Sequence, residues 1–341
     1  MNTVPIVFTF DANYRLPASV ALQSLFENAK DSTYYHVYLV CEGLSRGDKD
    51  AIESICPEKN GRVEWIDVDN ELFSSAPSSE NWPKIVYARI LLPLLLPFDK
   101  VIYSDVDVVF CSDLAEIFQI EVDGCEWAGV AAELVAFQEG VARCHNVHCE
   151  YQNELIYMSG FMVMNLRLMR EKDTVGRCLN NISKFGSRLK MYDLEILNMS
   201  SDNIARIDFS YCVLENVFFA KNVSEAKEYP WLRGLYRVSE LEAARSAPRI
   251  IHFAGSDTKV WERYCVPQVY RKYLAVSPFR SCYVFSNVFK VLLLLVVRLV
   301  TKVVPKKQRG FIRRKAKWLC SQSFSCWFRR FLDARRGNQL S

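Results

Sequence analysis

Glycine-rich phosphate loops are missing from this chain. Neither G-x-G-x-x-G nor a Walker pattern occurs in its 341 residues. A bound nucleotide would therefore be held through side chains or a metal instead of a backbone cradle. Histidine is scarce, at four residues, so few imidazoles are available for metal or proton chemistry. The apolar C-terminal stretch SNVFKVLLLLVVRLVTKVV is broken by Lys290, Arg298 and Lys302, and its longest uncharged run, Val291–Val297, has seven residues. That falls short of the ~20 needed to span a bilayer. The N-terminus, MNTVPIVFTFDANY, has no basic n-region and no cleavage site. It reads as a first strand and not a signal peptide, which predicts a cytosolic location. Twelve cysteines are scattered without a short regular framework, so free buried thiols are expected. Cys144-His-Asn-Val-His-Cys149 matches no common zinc spacing and reads as a surface loop or loop-helix segment.

Charge is what the chain has in an unusual distribution. From Arg280 to the end there are 15 Lys and Arg against one acid, Asp333, while residues 1–279 hold 28 basic and 38 acidic residues. The formal +4 averages an acidic body and a basic tail. An acidic body argues against a nucleic-acid partner. In the tail, basic pairs alternate with Phe311, Trp318, Phe324, Trp327, Phe328 and Phe331. This is the composition of amphipathic helices that lie on an anionic membrane surface. The expected organisation is a body over 1–279 and a membrane-association segment over 280–341.

The body opens as β-α-β-α-β. Strand-like runs at Pro5–Thr9, Tyr34–Cys41 and Arg62–Val68 alternate with helical patterns after Tyr14 and over Arg46–Ile55. That alternation predicts an α/β fold with a mostly parallel central sheet and helices on both faces. Lys84–Leu92 reads as helical, Trp127–Ala131, Tyr157–Leu166 and Arg249–Phe253 as strands, and Arg177–Leu189 and Asp193–Asn198 as helices. Ala205–Phe209 and Cys212–Phe219 read as short strands or coil.

Two carboxylates, Asp105 and Asp107, follow the β-forming Val101-Ile-Tyr103. An i, i+2 pair on a continuing strand faces one side and can converge on a hard cation; at a turn it can equally be solvated. His252 ends a later apolar run and is followed by Gly255 and Lys259. Two carboxylates with one imidazole suit Mn²⁺ or Mg²⁺, and Lys offers a point charge for phosphate. Asp11, Asn13 and Tyr14 follow the first strand, where α/β sheets place ligands. Arg89 could grip a phosphate or carboxylate, or cap a helix.

Taken in order, these pieces resemble glycosyltransferase family 8, the family of the retaining galactosyl- and glucosyltransferases of bacterial lipopolysaccharide and of glycogenin. The resemblance covers about residues 4 to 275. It consists of Asp11-x-Asn-Tyr14, Tyr87-Ala-Arg89, Asp105-x-Asp107, Ser159-Gly160, Asp193 before Ile-Leu-Asn198, and His252-Phe-Ala-Gly255 with Lys259 and Trp261. It implies a GT-A fold and a nucleotide-sugar donor, UDP-galactose or UDP-glucose, with a glycan or glycolipid as acceptor. It further implies a divalent metal, Mn²⁺ or Mg²⁺, on Asp105, Asp107 and His252. Asp11, Asn13 and Tyr14 would lie near the base and ribose, and Gly255 and Lys259 on the diphosphate. Arg89, beside the donor, and Asp193, facing the donor sugar, would be the catalytic residues.

The chain departs from the family pattern at three places. Met158-Ser-Gly160 stands where the lipopolysaccharide enzymes have Asn-Ala-Gly or Asn-Ser-Gly. Leu194 and Glu195 replace the usual Gln and Asp after Asp193. Lys259-Val-Trp261 replaces Lys-Pro-Trp, with one extra residue after Gly255. Leu194 has no nucleophilic atom, so retention would require front-face attack by the acceptor hydroxyl. The sequence reading is a metal-dependent retaining hexosyltransferase of cell-surface polysaccharide synthesis, cytoplasmic and peripheral on the inner face of the membrane. The alternatives are a weak or inactive binding protein of the same fold, or an inert membrane-associated scaffold.

Overall fold

Strand β1 (Asn2–Asp11) is an interior strand of the main sheet, and every residue from Val4 to Phe10 in it is buried. A run so uniformly apolar needs cover on both faces, as parallel sheets provide. In chain order the other strands are β2 (Thr33–Glu42), β3 (Gly61–Ile66), β4 (Lys100–Ser104), β5 (Val108–Phe110), β6 (Trp127–Leu134), β7 (Leu155–Asn165), β8 (Ile204–Ile207), β9 (Val213–Leu214) and β10 (Ile250–His252). The structure is a computed structural model describing residues 2–303 apart from 69–72, 74–75, 80–82, 138–150, 152, 255–257 and 264. The Cys144–Cys149 segment and the basic-aromatic tail beyond residue 303 lie outside the described residues.

Seven strands form one sheet in the order β3-β2-β1-β4-β7-β6-β8. β1 runs parallel to β2 and β4, β2 to β3, and β6 to β8. Only β7 is reversed, antiparallel to β4 and to β6. The fold is the expected GT-A-like α/β architecture. The C-terminal ends of β1 and β4 therefore point the same way, toward Asp11 and Asp105. A second sheet orders β5-β10-β9, with β10 antiparallel to β5 and parallel to β9.

Helices follow from local chemistry. Arg15–Glu27 carries Pro17 in its first turn and buries Leu16, Val20, Leu22, Leu25 and Phe26. Arg46–Glu53 starts in a Ser45/Asp48 capping box. Lys84–Leu91 is a 3₁₀ helix leading into the single turn Leu92–Leu95. Pro93 has no N–H for the Arg89 carbonyl, so an α-helical ladder cannot run through. The helix expected from Arg177 begins at Thr174, behind an Asp173 cap that accepts from Gly176 N, and ends at Phe185. Cys212–Phe219 divides into the end of a 3₁₀ turn, the two residues of β9 and a helix over Glu215–Phe219.

The chain divides into two compact units, Met1–Ala254 and Gly255–Ser341. The second holds the 3₁₀ turn Val260–Glu262 and the helices Gln268–Leu274 and Arg280–Val303. Within it, Lys290 Nζ donates to the Glu262 carbonyl at 2.8 Å and Tyr283 Oη to the Arg263 carbonyl at 2.9 Å. Val284, Phe285, Val288, Leu292, Leu295 and Val296 of the long helix are exposed. Eight described cysteines are free thiols; Cys178 and Cys212 are buried and Cys265 is exposed, so burial is less general than expected.

Candidate metal and active site

The chain leaves the main sheet at Asp105 and enters the small sheet at Val108, so the carboxylate pair sits on the crossing. Asp105 N donates to the Gly160 carbonyl at 2.8 Å, which prolongs the β4–β7 pairing by one residue. Phe253 N donates to the Asp107 carbonyl at 2.8 Å, which ties the end of β10 to the second carboxylate. His252 is opposite Val108 in this pairing. Residues 145 positions apart thus meet: His252 Nε2 lies 3.0 Å from Asp107 Oδ1 and 3.6 Å from Asp105 Oδ2. Potential ligand atoms of all three fall within 4.8 Å of one another.

The surroundings fit a cation. Asp105 Oδ1 is occupied, accepting from Arg89 Nη2 and Tyr103 Oη, each at 2.9 Å. That leaves Oδ2 on the side of His252. Gly160 supplies the room: a Cβ there would fall 2.3 Å from His252 Cε1 and 2.9 Å from Asp105 Oδ2. Any side chain at 160 would displace the imidazole or the carboxylate. Two carboxylate oxygens and one imidazole nitrogen form a donor set suited to a divalent cation.

Behind the triad, Arg89 is buried on the 3₁₀ helix and spans two acids. Its Nη2 reaches Asp105, and its Nη1 is 3.0 Å from Asp193 Oδ2 and 3.0 Å from the Ser159 carbonyl. Its Nε donates to the Val86 carbonyl at 2.9 Å, and its guanidinium lies 4.4 Å from the centre of the Tyr103 ring. Asp193 opens the helix Asp193–Ser200, and Ser159 Oγ donates to its Oδ2 at 3.0 Å. That helix is docked on β7 by Asn198, whose side chain accepts from Tyr157 N at 2.8 Å and donates to the Tyr157 carbonyl at 2.9 Å. Tyr192, just before Asp193, has φ +49° and ψ −113°. A bulky residue in that region is strained, and such strain gathers at functional sites.

Electrostatics follow from burial and pairing. Burial raises the Asp193 pKa; Arg89 opposes this, Asp105 adds to it, and the net shift is from 3.8 to about 6. Burial alone would lower the Arg89 pKa, but Asp105 and Asp193 outweigh it, so the guanidinium stays charged. Burial likewise disfavours charge on His252, yet Cys212 and Asp107 hold its pKa well above the ordinary imidazole value. A bound cation competes with that proton.

A raised Asp193 pKa means the folded chain binds this proton more tightly than the unfolded one. The associated stability is present below pH 3.8 and is lost as pH rises through about 6. In EDTA, the fall in unfolding free energy from pH 3.5 to 8 should be smaller in Asp193→Asn than in the parent, by up to about 3 kcal/mol. Parallel urea titrations at the two pH values check this; equal slopes for both proteins would refute it.

The remaining expected site residues are placed as follows. Asp11 ends β1; its Oδ1 accepts from Asn13 N at 2.9 Å and its Oδ2 from Asn13 Nδ2 at 3.1 Å. Tyr14 closes the 3₁₀ turn Ala12–Tyr14 that follows. Lys259 belongs to the second unit, where its Nζ lies 5.7 Å from the Trp261 ring. Gly255 lies outside the described residues. Met158 is buried in β7 and Leu194 is half-buried in the first turn after Asp193. Glu195 is buried and accepts from Lys190 N and Met191 N, which closes the turn that presents Asp193. Tyr103, as the second donor to Asp105, and Cys212, 3.3 Å from His252 Nδ1, carry no sequence signal for these roles.

A model of the family described as glycosyl transferase family 8 matches residues 5–265. The chain belongs to glycosyl transferase family 8. This family 8 chain is 24% identical over 213 residues to a lipopolysaccharide 1,2-glucosyltransferase of Escherichia coli, covering 60% of the chain and 61% of that relative. It is 21% identical over 292 residues to the lipopolysaccharide 1,3-galactosyltransferase of Salmonella typhimurium strain LT2, covering 83% and 81%. Of three of the curated relatives it matches, the chain spans 61%, 59% and 26% of the length. Among solved structures it is similar to the bifunctional glycosyltransferase WbbM, with a TM-score of 0.66 at 20% identity over 84% of this chain and 52% of that one. It is also similar to a galactosyltransferase in complex with donor and acceptor sugar analogues, with a TM-score of 0.64 at 20% identity over 80% and 95%. At such identities the structural likeness speaks for the fold.

Proposed function

We propose that this family 8 chain is a metal-dependent glycosyltransferase that moves a hexose from UDP-glucose or UDP-galactose to a glycan or glycolipid of the cell surface, with retention of configuration. The observation that carries this reading is the convergence of Asp105, Asp107 and His252 in front of the Arg89–Asp193 pair. A bound Mn²⁺ or Mg²⁺ supplies positive charge where the departing diphosphate becomes more negative. Asp105, Asp107 and His252 would hold it. Asp11, Asn13 and Tyr14, at the C-terminal end of β1, are assigned to the base and ribose. Gly255 and Lys259 are assigned to the diphosphate.

Asp193 is the acid assigned to the donor sugar. Its role is to steady positive charge at the anomeric carbon while the acceptor hydroxyl attacks from the face the diphosphate leaves. Ser159 and Arg89 fix its orientation, and burial keeps water from screening it. Leu194 offers no nucleophile, so no covalent glycosyl-enzyme forms there. Mass-spectrometric detection of a glycosyl adduct on the protein would overturn the front-face step.

The deciding experiment incubates the full chain with a panel of UDP-sugars, in Mn²⁺ and in EDTA, and measures UDP release. Metal-dependent release from one hexose donor supports the proposal. Met158 and Leu194, where the family pattern has amides, favour a second reading in which the chain binds but does not turn over. UDP binding without release across the panel would establish that reading, and absence of UDP binding an inert scaffold.

The chain is assigned to the cytoplasm, peripherally on the inner face of the membrane. In the helix Arg280–Val303, the first 18 residues, Arg280–Val297, are long and apolar enough to cross a membrane by length and composition. Lying on the surface fits better, because Lys290 and Tyr283 tie this helix to the turn of its own unit while Val284, Phe285, Val288, Leu292, Leu295 and Val296 stay exposed. The basic residues that follow attract anionic lipid. The full chain should co-sediment with phosphatidylserine-containing liposomes in low salt, weaken with added salt, and lose binding on truncation after Phe279. Sedimentation unaffected by that truncation would count against this segment as the anchor.

A further inference from the structure

We propose that Cys212 is a positioning residue for the metal-ligating imidazole: its sulfur accepts the Nδ1 proton of His252, so that Nε2 presents its lone pair beside Asp105 and Asp107. The proposal rests on the metal reading given above. It concerns the opposite side of the ring, which that reading leaves unassigned.

The two ring nitrogens have different surroundings. Nε2 faces the carboxylates, at 3.0 Å from Asp107 Oδ1 and 3.6 Å from Asp105 Oδ2. Nδ1 faces Cys212 Sγ at 3.3 Å. A neutral imidazole carries one proton, and the hydrogen bond on one nitrogen decides the state of the other. Two arrangements satisfy this geometry. In one, the thiol donates to Nδ1 and Nε2–H donates to Asp107. In the other, Nδ1–H donates to sulfur and Nε2 is bare. Only the second can ligate a cation. Metal-bound imidazoles usually donate the remaining N–H to a carboxylate, carbonyl or water. In this chain the atom in that place is a sulfur.

Cys212 is held firmly enough for the role. It ends the 3₁₀ turn Phe209–Cys212, which Asp208 caps by accepting from Ser210 N at 2.8 Å. Arg249 N donates to the Ser210 carbonyl at 2.8 Å, which pins the turn to the chain entering β10. The adjacent Tyr211 ring stacks on Phe161 at a centroid distance of 5.9 Å. Cys212 and His252 are both buried. The absent side chain of Gly160 backs the same imidazole. The ring is thus bounded by sulfur, a glycine face and two carboxylates, a cage that sets its direction.

The test uses the full chain with Cys212→Ala, Cys212→Val and Cys212→Ser. Mn²⁺ affinity is read by the EPR signal of the free ion, and the His252 tautomer by ¹⁵N long-range NMR correlations with Mg²⁺. Ala and Val, which accept no hydrogen bond, should weaken Mn²⁺ binding about 10- to 100-fold and mix the tautomers. Ser, whose hydroxyl accepts, should restore most of the affinity and the Nδ1–H form. Val fills the space of the thiol, so it reports even if Ala disturbs packing. Affinity within twofold of the parent in Ala or Val, with unchanged ¹⁵N shifts, would overturn the role of Cys212. A parent chain that binds neither cation would instead overturn the metal reading, and this inference with it.

Discussion

Asp107→Asn is expected to lower Mn²⁺-dependent turnover of the sugar donor by roughly 10³-fold or more while leaving the fold in place. The substitution keeps the shape of the side chain and removes its charge. The backbone bond from Phe253 N to the Asp107 carbonyl, which joins β10 to the crossing, is untouched. Stabilisation of leaving-group charge by a metal amounts to several kcal/mol, and about 1.4 kcal/mol is a factor of ten in rate. His252→Ala should act similarly, because it removes the one nitrogen ligand and leaves a space beside Gly160. The measurement is UDP release across a Mn²⁺ titration, with circular dichroism and melting temperature as controls on folding. If Asp107→Asn keeps a tenth of the parent rate at saturating Mn²⁺, the carboxylate does not hold the catalytic cation.

The sequence showed the elements that have long, one-signed patterns. The first two strands were legible because apolar residues fill them from both faces, the third because Val63 and Trp65 alternate with Arg62 and Glu64, and the carboxylate pair because Asp is unfavourable after Val101-Ile-Tyr103. The small sheet was not legible in the same way. Its strands have two or three residues, too few for any period to appear. Yet that sheet is what brings His252 to Asp107 across 145 residues. Arg89 shows the same limit at the site. Its type was suggestive, but its acids lie 16 and 104 positions away on different elements, and only the β4–β7 pairing brings them to one guanidinium. Gly160 could be read as a glycine in a strand, but its reason, the imidazole against its Cα, depends on β10. Local patterns thus recorded which residues were chemically unusual for their place, while short-strand pairing determined which of them meet.

Arg89→Met is expected to destabilise the chain by about 3–5 kcal/mol near pH 8, because it leaves two acids without the cation they share. Asp193 is buried and depends on Arg89 to counter the cost of its charge. Asp105 would keep Tyr103 as a donor but lose the charge-assisted bond at 2.9 Å. At about 2–4 °C per kcal/mol for a body of this size, the melting temperature should fall by roughly 10 °C. The loss should also depend on pH in a definite direction. Without the guanidinium the Asp193 pKa rises further, so by pH 5 its carboxyl is protonated and neutral, and the variant recovers part of the deficit. Arg89→Lys should recover little at pH 8, since one ammonium cannot reach Asp105, Asp193 and the Ser159 carbonyl together. Arg89→Met combined with Asp193→Asn should be more stable than Arg89→Met alone at pH 8, because the buried charge has been removed with its partner. Calorimetric melting of the four proteins at pH 5 and pH 8 decides the matter. A loss under 1 kcal/mol, or one equal at both pH values, would mean that Arg89 is not what balances the acids behind the metal site.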